Sequence, residues 1–412
     1  MQLSKKYPWV VVALLWVVAL LNYLDRQMLA TMRPSMQDDI AELQSATNFG
    51  YLMAIFLWIY GFMSPVAGIL ADRLNRKWLI VVSLFVWSGV TFAMGYVHSF
   101  RSLYWLRAIM GVSEAIYIPA ALSLIADFHS ARTKSLAIGI HMTGLYMGQA
   151  LGGFGATIAD KFSWQHTFQL FGLAGICYAA VLVFFLKEKK EPATTPALAI
   201  SQEKPSLVNG IVFLFSNLYF WIILLYFAIP SLPGWATKNW LPTLFAQNLG
   251  IEMSMAGPIS TITVAASSFI GVIAGGIISD KWVQSNLRGR IYTSAIGLAL
   301  TIPSLVLIGF GHSLFHIITA ACCFGIGFGM FDANNMPILC QFVSPRYRAT
   351  AYGIMNMTGV FSGAFITNLL GKSTDMGELG KGFSMLAAIV LVALVIQLHF
   401  LRPSVKEYAD TN

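Results

Sequence analysis

Five ionisable side chains stand in stretches otherwise apolar enough for lipid: Asp25 and Arg26 in NYLDR (22–26), Arg107, Glu114 and Asp332. The run before NYLDR, Trp9 to Leu21, contains no polar residue. A charge in hydrocarbon costs several kcal/mol unless it faces a cavity or a partner, so such residues mark function. Two kinds of chemistry are open to them. The carboxylates can exchange protons, and a guanidinium presents a planar fork that grips a carboxylate bidentately. Arg107 and Glu114 are two helical turns apart and share a face, with Tyr117 one turn further on. Asp25 and Arg26 point about 100° apart, so one can aim at a cavity while the other meets a neighbouring helix. Arg107 reads either as a working residue or as the static partner in a buried salt bridge. Asp332 has no cation near it in sequence and reads as a charge partner within the second half of the chain. Tyr60, Tyr117, Asn334 and Asn335 could hydrogen-bond a polar substrate or hold helices together.

The elements that must position these residues are transmembrane helices. The chain has 412 residues, 57% of them hydrophobic and 11% charged, with a mean hydropathy of +0.68, which no ordinary soluble domain shows. Apolar stretches of spanning length recur about twelve times, over roughly 9–30, 49–71, 78–97, 103–126, 135–158, 166–186, 209–230, 255–279, 291–311, 314–340, 350–371 and 383–402. The first is too long for a removable signal and lacks a small-residue cleavage site. The four cysteines all fall inside spans and read as packing residues.

Counting Lys and Arg in alternate loops puts 18 on the side of the N-terminus and six on the other, which predicts both termini in the cytoplasm. The net charge of +8 is spread over many short loops, which argues against nucleic-acid binding. Residues 187–208, rich in charge, Pro, Thr and Ser, read as a cytoplasmic linker between an N-terminal six-helix bundle (1–186) and a C-terminal one (209–412). The halves echo each other: GILADRLNRK (68–77) in GGIISDKWVQSNLRGR (275–290), GVSEAIYIP (111–119) in GFGMFDANNMP (327–337), and MTG at 142–144 and 357–359. Repeated six-helix halves are a transporter architecture with the substrate site near the midplane.

GILADRLNRK resembles the signature loop of the major facilitator superfamily, and Arg107 followed by AIMG resembles the motif of its fourth helix. The resemblance spans essentially the whole chain and implies an all-α membrane protein with twelve transmembrane helices in two pseudo-symmetric bundles. Gly68, Asp72, Arg73 and Arg76 then form a cytoplasmic gate loop, with Asn75 where the superfamily usually has Gly, a position tolerant of a left-handed backbone. NYLDR is similar to the Asn-Tyr-x-Asp-Arg of the anion:cation symporters, which include sugar-acid importers, and the pentad also occurs in Spinster-like lipid transporters. GYLMAIFLWIY (50–60) resembles the second helix of the sugar-acid importers, whose final tyrosine, here Tyr60, faces substrate; DRLNRK and GVSEAIY lean toward the Spinster side. By this resemblance Asp25 and Glu114 couple protons, and Arg26 binds substrate. Gly148 is followed by Gln149 where superfamily antiporters usually place a Gly-Pro pair, which favours symport; Leu145 stands where the sugar-acid importers tend to have Gln.

Lys238 in GWATKNWLP (234–242), placed after the seventh span, could close an outer gate or guide anions, or be an interfacial lysine beside belt tryptophans Trp235 and Trp240. No GK[ST] phosphate loop, Gly-x-Ser-x-Gly elbow or HExxH occurs, so no enzymatic chemistry, metal or cofactor is expected. The expectation is a monomeric, multi-pass carrier of a bacterial inner membrane that moves a small organic anion with protons by alternating access. Its alternatives are a Spinster-like carrier of a lysolipid or other amphiphile and a transporter-like sensor.

Overall fold

The structure, a computed structural model, describes residues 6–129, 131–188, 207–344 and 347–405, the side chains of 72, 73, 131, 132, 135, 207–209 and 349 excepted. The side chains of Asp72 and Arg73 and the linker segment 189–206 therefore lie outside the described residues. Among the described residues there are fifteen α-helices, a short 3-10 helix at Ala41–Gln44 and no strand. In chain order they are α1 Tyr7–Gln37, α2 Ala46–Arg73, α3 Arg76–Met94, α4 Phe100–Phe128, α5 Ala131–Gly152, α6 Gly155–Phe162, α7 Trp164–Phe185 and α8 Leu207–Phe215. Then follow α9 Leu218–Leu249, α10 Met253–Ser285, α11 Gly289–Phe310, α12 Leu314–Asp332, α13 Asn335–Phe342, α14 Arg348–Asp375 and α15 Leu379–Phe400.

Eleven segments are long and apolar enough to cross a membrane among the described residues, α12 and α13 counting as one. The other expected span, 135–158, forms α5 and α6, and α5 packs between α1 and α10. The helices up to α7 pack chiefly on one another, as do those from α9 onward; α2 against α14 and α5 against α10 are the main contacts between the two groups.

Short polar residues start six of the described helices. Ser45, Asn75, Ser99, Ser163, Asn217 and Ser313 each accept a hydrogen bond from the first turn of α2, α3, α4, α7, α9 and α12. Asn75 does so in extended conformation, φ −63° and ψ 114°. Its role is thus that of a cap, not of a left-handed turn residue. Gly144, Gly148 and Gly152 of α5 lie against the carbonyl oxygens of Trp16, Leu20 and Leu24 of α1, a spacing that leaves no room for a Cβ.

One span is displaced from its expected place. The seventh span, α9, runs over Leu218–Leu249, whereas the sequence points to 209–230. Pro230, Pro233 and Pro242 all lie inside it. The hydroxyls of Ser231 and Thr237 donate to the carbonyls of Phe227 and Pro233, at 2.7 and 2.8 Å, within the proline-containing stretch. GWATKNWLP is consequently helix interior. Trp240 is fully buried and donates to the Thr367 carbonyl, so it belongs to no interfacial belt.

The α2–α14 contact is tight at one end only. There Gly50 faces Thr367 and Asn368, and Gly371 faces Ala46 and Thr47. Asp375, the last residue of α14, accepts from the Ala46 and Thr47 amides at 2.6 and 2.9 Å and from the Ser45 and Thr47 hydroxyls at 2.8 and 2.6 Å. A carboxylate from the second half thereby caps an α2 helix of the first, where free amides and the helix dipole favour an anion. At the other end, a Cβ on Gly68 or Gly353 would meet nothing within 4 Å.

Candidate functional site

Between the two groups of helices lies a cavity of about 640 Å³, with a side pocket of about 80 Å³. It runs from Tyr23, Lys238 and Asp332 to Gly68, Ala71 and Gly353. Tyr352 and Met336 on its wall are 42% and 38% exposed, so it opens at the end where α2 and α14 part. The Asp375 cap closes the opposite end. Phe227, Trp235, Phe328 and Phe331 give part of the wall an aromatic surface.

The charges expected from sequence gather behind this wall. Arg26 Nε donates to Glu114 Oε2 at 2.7 Å, and Asn22 Nδ2 donates to the same oxygen at 2.9 Å. The Arg26 guanidinium is enclosed by the rings of Tyr23, Phe56 and Tyr60, 5.1, 4.7 and 4.8 Å from its carbon. Asp25 turns the other way and accepts from the Thr91 hydroxyl of α3 at 3.3 Å. Arg107 shares a helix face with Glu114 yet makes no ion pair with it: its guanidinium stacks on Phe56 at 4.6 Å and donates to Met110 Sδ at 3.0 Å. All four residues are buried or nearly so. Asp25 Oδ1, Glu114 Oε1, Arg26 Nη2 and Arg107 Nε have no hydrogen-bond partner among the described residues. Two carboxylates and two guanidiniums therefore share one buried compartment with spare bonding capacity, an arrangement suited to exchanging a proton or re-pairing charges.

Of the residues expected to meet substrate, Tyr60 and Asn335 line the cavity. Arg26 stands behind Tyr23 and Tyr60. Tyr117 is fully buried, its hydroxyl donating to the Leu15 carbonyl at 2.8 Å, and Asn334 is buried with its amide on the Met330 carbonyl. Asp332 lines the cavity and accepts from Asn335 Nδ2 at 3.1 Å. It ends α12, and Ala333–Asn334 interrupts the helix before α13. Broken helices at membrane depth occur where they line a cavity. The run DANN within an otherwise apolar span signals that break. In the gate loop, Arg76 pairs with Asp127 at the end of α4 and donates to the Ala71 carbonyl, while the Lys77 amide binds Glu188 and its ammonium the Val183 carbonyl. These contacts tie the loop to its own half. Gly68 lines the open mouth. Among the described residues no cluster of His, Cys, Asp or Glu could hold a metal.

Comparison with known proteins matches residues 15–367 to the Major Facilitator Superfamily. A hexuronate transporter of Bacillus subtilis is 25% identical, over 98% of this chain and 96% of its own. A sphingosine-1-phosphate transporter of Xenopus tropicalis is 24% identical, over 96% of this chain and 82% of its own. Among solved structures, a bacterial homologue of the human lysosomal transporter Spinster, inward-facing and unoccupied, aligns with a TM-score of 0.81 at 19% identity, covering 99% of this chain and 100% of its own.

Proposed function

Because the chain belongs to the Major Facilitator Superfamily, as a multi-pass membrane transporter and not an enzyme, we propose that it carries a small organic anion together with protons. The observation that carries this reading is the buried Arg26–Glu114 pair, set directly behind the Tyr23 and Tyr60 walls of a cavity open at one end. The likeness to a hexuronate transporter over nearly the whole chain supports a sugar acid as the class of substrate.

In the cycle, Glu114 holds Arg26 withdrawn from the cavity. A proton on Glu114 removes the charge that fixes the guanidinium, and Arg26 turns past Tyr60 to meet the substrate carboxylate with its planar fork. Asp25, held by Thr91, takes the second proton; the two carboxylates titrate as a coupled set. The halves, joined by the linker, then rock about the site: the Asp375 cap parts, and the gate loop with Gly68 closes against α14. Asp332 is the charge of the second half, and Arg107 keeps the first-half compartment neutral overall. The loop charges support termini in the cytoplasm.

The Glu114→Gln variant in proteoliposomes tests the reading. It should lose accumulation driven by a pH gradient while still exchanging substrate. Accumulation at the wild-type rate would remove Glu114 from the coupling. A second reading, an amphiphile carrier of the Spinster kind, draws on the aromatic wall of Phe227, Trp235, Phe328 and Phe331. Lysolipid, but no sugar acid, raising the thermal stability of the purified protein would favour it.

A further inference from the structure

Among the described residues that line the cavity, Lys238 is the only basic one and Asp332 the only acidic one. Among the described residues no carboxylate lies within ion-pair distance of Lys238. Its ammonium lies instead against two ring faces, 5.5 Å from Tyr23 and 4.8 Å from Trp235. Aromatic faces hold a cation without neutralising its charge. The two arginines of the first-half compartment stand behind the cavity wall with contacts of their own: Arg26 pairs with Glu114, and Arg107 stacks on Phe56 and donates to Met110. Tyr23 touches both Lys238 and Arg26, so it separates the anchored cation from the available one. The side pocket beside Lys238 adds Tyr146, Gln149, Thr237 and Ser268, groups that suit hydroxyls.

On the organic-anion reading above, we infer that Lys238 is where the carboxylate of the transported anion docks in this conformation, and that Asp332 competes with it for the ammonium. Ionised, Asp332 offsets the charge of Lys238; protonated, it leaves Lys238 free for the substrate. The titratable groups facing Asp332 are Lys238 and Tyr226 on α9, Tyr146 on α5 and Tyr352 on α14. Of these only Lys238 is a cation, so proton and anion binding are linked through this one pair. The pocket favours a compact polyhydroxy carboxylate over a bare hydrocarbon acid. The second half thereby owns an anion-and-proton site of its own, distinct from the Asp25–Glu114 compartment.

The test is isothermal titration of the purified full chain with D-glucuronate, D-gluconate, acetate and benzoate, and D-glucose as neutral control, across about pH 5–8. Lys238→Met should weaken the best-bound carboxylate by about tenfold or more, and Lys238→Arg, which keeps the charge, should restore most of it. Asp332→Asn should bind at every pH as tightly as the wild type does at the acidic end. Ligand-free melting of each variant separates lost binding from lost folding. Equal affinity in Lys238→Met and wild type overturns the inference while leaving the transport reading intact. No carboxylate binding to the wild type overturns the organic-anion reading and the inference with it.

Discussion

Gly50 and Gly68 of α2 are 18 residues apart, and so are Gly353 and Gly371 of α14. Eighteen residues are five helical turns, about 27 Å, so each pair lies on one face of its helix. The helices run antiparallel, with Gly50 beside Gly371 at the sealed end and Gly68 and Gly353 both on the open mouth. A Cβ at Gly68 or Gly353 meets nothing within 4 Å in this conformation, yet a leucine there would obstruct closure of that end. A leucine at Gly371 is obstructed now, since its Cβ would stand 2.7 Å from the Ala46 carbonyl oxygen and 3.2 Å from Thr47 Cα. Overpacking of this kind costs about 1–3 kcal/mol. Applied to one state of a two-state equilibrium, that is a shift of about 5- to 150-fold. Gly68→Leu should therefore enrich the present conformation, and Gly371→Leu should deplete it. Spin-label pairs, one bridging Leu74 and Tyr352 and one near Ala46 and Met376, would read the two populations by dipolar spectroscopy in bilayers. Shifts in the same direction for both variants, or none for either, would refute an α2–α14 seam that rocks between two closed ends.

Asp375→Asn weakens a cap that takes four hydrogen bonds, and it should shift the same labels toward an open sealed end by about fivefold, for a loss near 1 kcal/mol. Arg26→Lys keeps the charge and loses the fork that is to meet the substrate carboxylate once Glu114 is protonated, so substrate affinity at acidic pH should fall by about tenfold; Asp25→Asn should spare affinity and alter its pH dependence, and equal losses at every pH in both would make the two a structural pair. Gly148→Leu drives a side chain into the Leu20 carbonyl of α1 and should lower the melting temperature of the purified protein, in contrast to Gly68→Leu, which should leave it unchanged.

Most of the helices were legible because lipid imposes a single demand: an apolar run long enough to span it. The limits lay where polar or cyclic residues occur inside a helix. The seventh span is expected from the sequence to stop at 230, yet α9 continues through Pro230 and Pro233, so Lys238 lies in the cavity instead of at the interface. Pairing was hidden for another reason. Arg107 and Glu114 share a face, but Glu114 bonds to Arg26, 88 residues away on another helix, and no spacing rule selects among long-range partners. The trans cap at Asp375 was equally silent. An Asp at the end of a helix looks like a solvated charge until the start of another helix is brought against it.

The one-sided opening of the cavity has an electrical meaning in a polarised membrane. An aqueous cavity takes the potential of the solution it joins, so the transmembrane voltage falls mainly across the layer between the Lys238–Asp332 level and the Asp375 seal. One elementary charge moved through that layer exchanges about 2.3 kcal/mol per 100 mV. On the proposed anion reading, the substrate travelling from the mouth to Lys238 crosses little of this field. The field is traversed when the seal parts and the opposite end closes, because that movement transfers the layer from one side of the charges to the other. Membrane voltage should accordingly act on turnover and leave binding affinity from the open side nearly constant.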